Sequence, residues 1–184
     1  NSKYHMATNT HKIFGINGSY AVLSSRKYKI SDIIIQTGSI AERDGRISRI
    51  LGHYGGYVRF LPKIQFKQKF GDLRTQGIVV IFSAKIETTL PKMDNVEGNH
   101  CLLILDRLED PQNFGQIIRT VECAGIKGII YSKHHSVSLT DTALQVSQGA
   151  FVNMNFYEVT NIRNELKKLK KDNFWVVGLE NSIN

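Results

Sequence analysis

Three polar residues near the middle of the chain have types and a spacing that could do chemistry. Asn113, Arg119 and Glu122 lie in segment 110–125, with Gly115 one helical turn before Arg119. They bring hydrogen-bond donors, a fixed positive charge and a carboxylate to one short stretch. Because glycine costs a helix about 1 kcal/mol relative to alanine, we expect Gly115 to leave room for a ligand to approach Arg119. A solvated ion pair between Arg119 and Glu122 is the open alternative.

Local signals predict the elements that position these residues. Asp110 is a suitable N-cap, Pro111 suits the first helical position, and Gly125 suits the left-handed position after the helix. Apolar runs at 101–105 and 126–131 are typical of buried parallel strands. Between them the helix is predicted to lay one apolar face on the sheet, consisting of Phe114, Ile117, Ile118, Val121 and Ala124.

The first half of the chain alternates between helical and extended patterns, which predicts a small α/β sandwich with one sheet between helices. Its predicted elements are helices at 14–27 and 41–52, strands at 31–36, 57–61 and 77–83, and a short helix near Phe70. The glycine-rich stretch 52–56 follows a helix and precedes a strand. This order is the reverse of a dinucleotide-binding loop, so we interpret the stretch as the end of a helix.

The second half predicts a parallel α/β sheet. Its further elements are helices at 139–147 and 162–171 and strands at 155–159 and 174–179. We therefore expect a flexible tail or vector remnant at 1–10, a substrate-binding domain at 11–84, a linker at 85–99 and a second domain at 100–184.

Composition is that of a soluble globular protein, with 41% hydrophobic and 22% charged residues in 184. No apolar run is long enough for a membrane span, and the first residues lack the apolar core of a signal peptide, so we expect a cytoplasmic protein without a membrane partner. Cys101 and Cys123 are expected to be small buried hydrophobes. His134 and His135 are adjacent and have no ligand partner at zinc-like spacing, so we expect no metal site.

The positive charge is confined to the first half. Residues 1–99 carry 15 Lys and Arg against 7 Asp and Glu, whereas residues 100–184 carry 9 of each. A basic module joined to a neutral one favours contact with a polyanion such as RNA. The candidate RNA-binding residues are Arg43, Arg46, Arg49, Lys67, Lys69 and Arg74.

Two stretches of the second half carry a family resemblance. LDRLEDPQNFGQIIRTVECAGIKGII at 105–130, followed by SVSLTDTALQVSQGA at 136–150, resembles the first motif region of the SpoU/TrmH family of RNA ribose 2′-O-methyltransferases, in the SPOUT superfamily. The first half, from FGINGSYAV to TQGIVVIFS, resembles the small ribosomal-protein-like substrate-binding domain of many members.

The resemblance implies transfer of a methyl group from S-adenosylmethionine to a ribose 2′-hydroxyl by a homodimer with a deep trefoil knot. Asn113 and Arg119 match the catalytic Asn and Arg of the family motif, whereas no role carries over to Glu122. Because a guanidinium is too weak an acid to act readily as a base, Arg119 is expected to orient the hydroxyl and offset developing charge. Family analogy favours large-subunit ribosomal RNA over transfer RNA as the substrate.

The family's second and third motifs, which supply most of its cofactor pocket and its knot, are absent from the 184 residues. We therefore expect an incomplete SPOUT domain without its trefoil-knot portion, with no cofactor-binding residue up to Asn184, and a 184-residue chain that is inactive. A non-catalytic RNA-binding protein with a degenerate methyltransferase domain remains the alternative.

Overall fold

The computed structural model describes residues 8–71, 73–91, 100–134 and 136–179. In chain order its elements are β1 Thr8–Phe14, α1 Ile16–Ser25, β2 Lys29–Gln36, α2 Ile40–Arg43, α3 Gly45–Leu51, β3 Val58–Leu61, α4 Lys63–Phe70, β4 Ile78–Lys85, β5 Leu102–Leu105, α5 Pro111–Cys123, β6 Gly128–Ser132, α6 Asp141–Val146, β7 Asn155–Val159 and α7 Ile162–Lys171. Short 3₁₀ helices cover Gly55–Tyr57 and Ala150–Asn153. None of the described helices is both long and apolar enough to cross a bilayer.

The first sheet is mixed, with the strand order β1-β4-β2-β3. Strand β4 is antiparallel to both β1 and β2, whereas β2 and β3 are parallel. Because side chains alternate along β2, Ile33 and Ile35 join Ile47 of α3 in the main core. Ile34 instead packs with Phe66 of α4, so α3 and α4 cover opposite faces of the sheet.

The second sheet is fully parallel, with the order β5-β6-β7. Helix α5 buries Phe114, Ile118 and Val121 in the same core as Ile129 of β6. On the other face, Leu169 of α7 packs with Ile130, Tyr157 and Val159. The predicted strand, helix and strand over 101–132 are therefore confirmed, as is helix 162–171.

A single apolar core runs through both halves of the chain, from Ile13 and Phe82 to Phe114 and Phe151. Polar contacts fix the same junction. Gln145 of α6 accepts a hydrogen bond from the Phe14 amide at 3.0 Å and donates one to the Phe14 carbonyl at 2.8 Å. The buried His11 ring contacts Asp141 at 3.0 Å, so β1 and α6 are held in a fixed relation.

Strand β1 is an element that the sequence patterns did not predict. It includes residues 8–10 of the segment expected to be a tail, while residues 1–7 lie outside the described part. The predicted linker also begins with structure, because Glu87 bridges to Tyr157 in parallel at the edge of β7. Residues 92–99 of that linker lie outside the described residues.

The predicted strand at 174–179 is wrong, because these residues carry no strand pairing and Trp175, Val177 and Leu179 are exposed. An apolar run becomes a strand only where a neighbour accepts its backbone hydrogen bonds, and no strand pairs with it in the described part. The helix predicted at 41–52 is divided at Asp44, whose side chain accepts hydrogen bonds from the amides of Arg46 and Ile47 and so caps α3. The two cysteines were also predicted wrongly, since Cys101 and Cys123 are exposed.

Candidate functional site

Helix α5 begins and ends as the sequence predicts. The Asp110 side chain accepts a hydrogen bond from the Gln112 amide at 2.8 Å, and Pro111 takes the first helical position. Gly125 has φ +78° after the helix end, a conformation that glycine adopts without steric cost. These caps fix the length and rotation of the helix that carries Arg119.

Gly115 does not make room for a ligand, contrary to the expectation from its spacing to Arg119. It is buried, and a Cβ at this position would lie 2.6 Å from Val146 Cβ and 2.7 Å from the Ala143 carbonyl oxygen. The missing side chain therefore allows α6 to pack directly on α5. Gly115 is a helix-packing residue buried against α6, whereas Arg119, one turn later on α5, is exposed.

Arg119 and Glu122 line a groove of about 550 Å³ between α1 and α5, which we call the α1–α5 groove. Helix α1 forms one wall and α5 the other, and segment 147–153 forms the floor. The lining residues are Tyr20, Ala21, Ser24, Ser25, Arg119, Glu122, Cys123, Ser147, Gln148, Gly149, Ala150, Val152 and Asn153. Both halves of the chain thus contribute to one concave surface.

The proposed ion pair between Arg119 and Glu122 is not formed. Glu122 instead accepts a hydrogen bond from Asn153 Nδ2 on its Oε1 atom at 2.9 Å. Among the described residues, Arg119 has no hydrogen-bond or ion-pair partner, and its side chain is exposed. The guanidinium is therefore available to a ligand that enters the groove.

Asn113 lies apart from this groove. It is exposed in the first turn of α5 and does not line the groove. Arg119 lies six positions later in the sequence, which corresponds to about 9 Å along the axis at 1.5 Å per residue. Asn113 therefore lies at the start of α5 and Arg119 on the groove wall. The two residues that match the family motif are not in contact.

The floor of the groove holds its walls at a fixed separation. Gly149 has φ +95°, and a Cβ there would lie 2.6 Å from Ala21 Cβ, so α1 rests directly on the floor. Lys27 Nζ donates to the Val152 carbonyl at 2.7 Å beyond the end of α1. These residues, with Tyr20 and Asn153, lie far apart in sequence, and no local pattern marks them as one surface.

The six candidate RNA-binding residues fall on two surfaces. Arg43, Arg46 and Arg49 lie on α2 and α3, and Arg74 shares a hollow of about 340 Å³ with Arg43. The remaining two, Lys67 and Lys69, lie on α4, across the sheet. The structure separates the residues that the sequence grouped together.

Arg46 connects the first surface with the groove. Its guanidinium lies 5.5 Å from the ring centroid of Tyr20 and forms an ion pair with Asp44 at 3.0 Å. The hydrogen bond from Arg46 lowers the pKa of Asp44, so both charges persist at neutral pH. The Arg46 guanidinium, paired with Asp44, therefore lies beside the groove wall that carries Tyr20.

The carboxyl ends of the parallel strands, where open α/β sheets bind ligands, are followed by exposed residues. Asp106 follows β5, Lys133 follows β6 and Thr160 follows β7, and all three are exposed. Within the described part there is also no group of three or more His, Cys, Asp or Glu side chains that could hold a metal ion. His134 is exposed, and His135 lies outside the described residues.

The fold defines the second half as an open parallel α/β domain built from strand, helix and strand units. Residues 100–184 match the family model described as the SpoU rRNA Methylase family. A protein of Staphylococcus aureus (strain MSSA476) assigned to the TrmH family of tRNA/rRNA methyltransferases is 32% identical over 157 residues, which cover 83% of this chain and 63% of that relative. The second half therefore belongs to the SpoU/TrmH methyltransferases of the SPOUT superfamily, as its motif predicted.

Solved structures of this class share the fold at lower identity. The SpoU methyltransferase AviRb from Streptomyces viridochromogenes, solved in complex with AdoMet, has a TM-score of 0.70 and 12% identity, over 89% of this chain and 59% of AviRb. A crystal structure of an RNA 2′-O ribose methyltransferase has a TM-score of 0.65 and 14% identity, over 89% of this chain and 60% of that protein. The chain thus spans about three fifths of the length of its relatives.

Proposed function

We propose that the protein carrying this chain is an RNA methyltransferase that uses S-adenosylmethionine to methylate a ribose 2′-hydroxyl, with large-subunit ribosomal RNA as its substrate. The observation that carries the proposal is the exposed guanidinium of Arg119, which has no partner among the described residues and lines a groove built by both halves. Arg119 also lies within residues 100–184, which match the SpoU rRNA Methylase family, and in the motif that resembles this family's first motif.

Each residue can then be given a role that its chemistry allows. The Arg119 guanidinium binds and orients the ribose hydroxyl or the neighbouring phosphate through its planar set of donors, and it offsets negative charge as the hydroxyl loses its proton. Asn113, at the exposed start of α5, positions the RNA strand. S-adenosylmethionine supplies the electrophilic methyl group when it is bound.

The same proposal assigns residues 11–84 to RNA binding, 85–99 to a linker and 100–184 to the first part of the catalytic domain. The complete protein is proposed to act as a homodimer in the cytoplasm. The six basic residues of the first half are proposed to contact RNA phosphates. Because phosphate contacts release counterions, the logarithm of the affinity for RNA should fall linearly with the logarithm of salt concentration.

Alkali resistance tests the proposed reaction most specifically. A 2′-O-methyl group removes the hydroxyl that attacks the adjacent phosphate in alkali, so the linkage at a methylated ribose survives hydrolysis. The complete gene product would be incubated with S-adenosylmethionine and ribosomal RNA from a strain lacking the gene, and the RNA would then be mapped by partial alkaline hydrolysis. We expect one new resistant linkage, in large-subunit RNA.

Transfer RNA and small-subunit RNA serve as matched substrates in the same assay. A resistant linkage in transfer RNA alone would contradict the proposed substrate while retaining the reaction. Methyl incorporation into a base, without a resistant linkage, would contradict ribose specificity. Tight RNA binding with no incorporation into any of the three RNAs would favour the non-catalytic RNA-binding alternative.

A further inference from the structure

The α1–α5 groove contains more recognition chemistry than a methyl transfer to ribose requires. Its volume of about 550 Å³ lies within the range of about 300–1,000 Å³ that small-ligand pockets occupy. Besides Arg119, one wall carries the aromatic ring of Tyr20 and the other carries the carboxylate of Glu122. A ring and an acceptor facing one cavity are the groups that bind an unstacked nucleobase.

The Tyr20 ring is held in place by a cation. Tyr20 is half-buried, and the Arg46 guanidinium lies 5.5 Å from its ring centroid. Arg46 is itself fixed by Asp44 at 3.0 Å. Because this neighbour already restricts the ring, the ring loses little conformational freedom when a base stacks on it. Stacking alone does not discriminate between bases, since every base has a π-face.

Glu122 provides an acceptor with a fixed orientation. Its Oε1 atom is bonded to Asn153 Nδ2 at 2.9 Å, and in the described part of the chain no donor contacts Oε2. A carboxylate accepts hydrogen bonds from the exocyclic amino groups of bases, as in its pairing with cytosine N4. Uracil has no amino group, so the position of Glu122 favours the other three bases.

The groove is preformed rather than adaptable. The close approach of Gly149 to Ala21 and the bond from Lys27 to the Val152 carbonyl hold α1 over the floor. Because the two walls are fixed, Tyr20 and Glu122 can act on the same base. Arg119 is one turn from Glu122 on α5, within reach of the sugar and phosphate attached to that base.

We propose that the α1–α5 groove binds one unpaired nucleobase of the RNA substrate. Tyr20 stacks on the base, Glu122 accepts a hydrogen bond from its amino group, and Arg119 contacts the adjoining sugar and phosphate. The groove therefore selects adenine, cytosine or guanine over uracil. This inference rests on the proposed function for the class of its ligand, which is RNA.

The two exposed cysteines provide the assay. Cys123 lines the groove, whereas Cys101 does not. Alkylation of Cys123 by iodoacetamide therefore reports on occupancy of the groove, and alkylation of Cys101 is the internal control. With 12-nucleotide oligo(C), we expect Cys123 alkylation to slow at least fivefold while Cys101 is unaffected. Oligo(U) should need about a tenfold higher concentration for the same protection, because a hydrogen bond to a charged group is lost.

Substitutions separate stacking from recognition of the amino group. Tyr20→Ala should weaken protection by both oligonucleotides about tenfold, while Tyr20→Phe and the control Tyr57→Ala, an exposed tyrosine outside the groove, should leave protection unchanged. Glu122→Gln should remove the difference between oligo(C) and oligo(U), because an amide can also donate to uracil O4.

Three outcomes would overturn the inference. The first is oligonucleotide binding, measured by fluorescence anisotropy, that does not protect Cys123 from alkylation. The second is protection of Cys123 by S-adenosylmethionine alone, which would make the groove a site for the cofactor's base. The third is a Glu122→Gln variant that still prefers oligo(C) to oligo(U) as strongly as the native chain. Any of these, combined with alkali-resistant methylation by the complete protein, would leave the proposed function standing. Protection with the predicted base preference but without methylation would support the groove and contradict the reaction.

Discussion

Replacing Gly115 with alanine tests the packing that positions Arg119. The added Cβ would lie 2.6 Å from Val146 Cβ, 2.7 Å from the Ala143 carbonyl oxygen and 2.8 Å from Val146 Cγ1. Val146 Cγ1 could rotate away, but Val146 Cβ and the Ala143 carbonyl oxygen move only with the backbone of α6, so relief requires the two helices to move apart. We therefore expect Gly115→Ala to destabilise the fold.

The magnitude follows from two opposing effects. Overpacking a close contact costs about 1–3 kcal/mol, and the backbone contact places this site in the upper part of that range. The gain in helix propensity from glycine to alanine offsets about 1 kcal/mol. The free energy of unfolding should fall by about 1–2 kcal/mol, or roughly 2–8 °C in Tm for a chain of this size.

Urea denaturation followed by circular dichroism measures this change, and Gly45→Ala is a matched control. Gly45 begins α3, and a Cβ there would meet no atom within 4 Å, so this variant should be as stable as the native chain or more stable. If Gly115→Ala also proved neutral or stabilising, the close contact between α5 and α6 would be refuted.

Three further predictions follow from the junction and from the charged surfaces. Burial alone would raise the pKa of Asp141, but hydrogen bonds from His11 and the Lys12 amide outweigh burial, and the pKa is lowered. The ionised carboxylate therefore stabilises the fold above about pH 4, near the pKa of an unfolded Asp. This stabilisation is lost as the pH falls through the folded-state pKa. The stability difference between the native chain and Asp141→Asn, measured by urea denaturation, should therefore shrink between pH 6 and pH 3; a constant difference would contradict the pair. Gln145→Leu removes both bonds to the Phe14 backbone and should cost about 1–3 kcal/mol in the same measurement. Arg46→Ala, next to the groove, should weaken RNA binding in a salt titration more than Lys69→Ala, across the sheet; equal effects would contradict this placement.

The elements that local signals specify were predictable. Helix α5 has its cap residues and apolar face within 16 residues, and α7 likewise shows an amphipathic pattern, so neither needs distant contacts to be identified. Strand β1 was missed because the residue buried beside Ile13 is the polar His11, which obscures an apolar alternation. Its pairing partner is β4, more than 60 residues later. Segment 174–179 is the opposite case, in which a strand was predicted but is not formed. Its apolar run resembles a strand, but the run alone does not supply a strand to pair with.

The sequence singled out Arg119 and Glu122, which line the α1–α5 groove, but not the other groove residues or their arrangement. The family motif pointed to Arg119 because its Asp, Pro, Asn, Gly and Arg follow one another in the sequence of a single helix and its N-cap. The interpretation of Gly115 failed because the atoms that fill its space belong to α6. The partner of Glu122 is Asn153, 31 residues away, and the opposite wall comes from α1. Contacts of this kind depend on the tertiary fold and leave no pattern in the local sequence.

The most direct test of the central claim is the single-turnover rate of ribose methylation by Arg119→Ala in the complete protein, with Arg163→Ala as the control. Both arginines are exposed on helices, so both substitutions should change stability by no more than about 0.5 kcal/mol. We predict that Arg119→Ala lowers the rate at least about 100-fold, that Arg119→Lys restores only part of it, and that Arg163→Ala is unaffected. A near-native rate for Arg119→Ala would contradict the account.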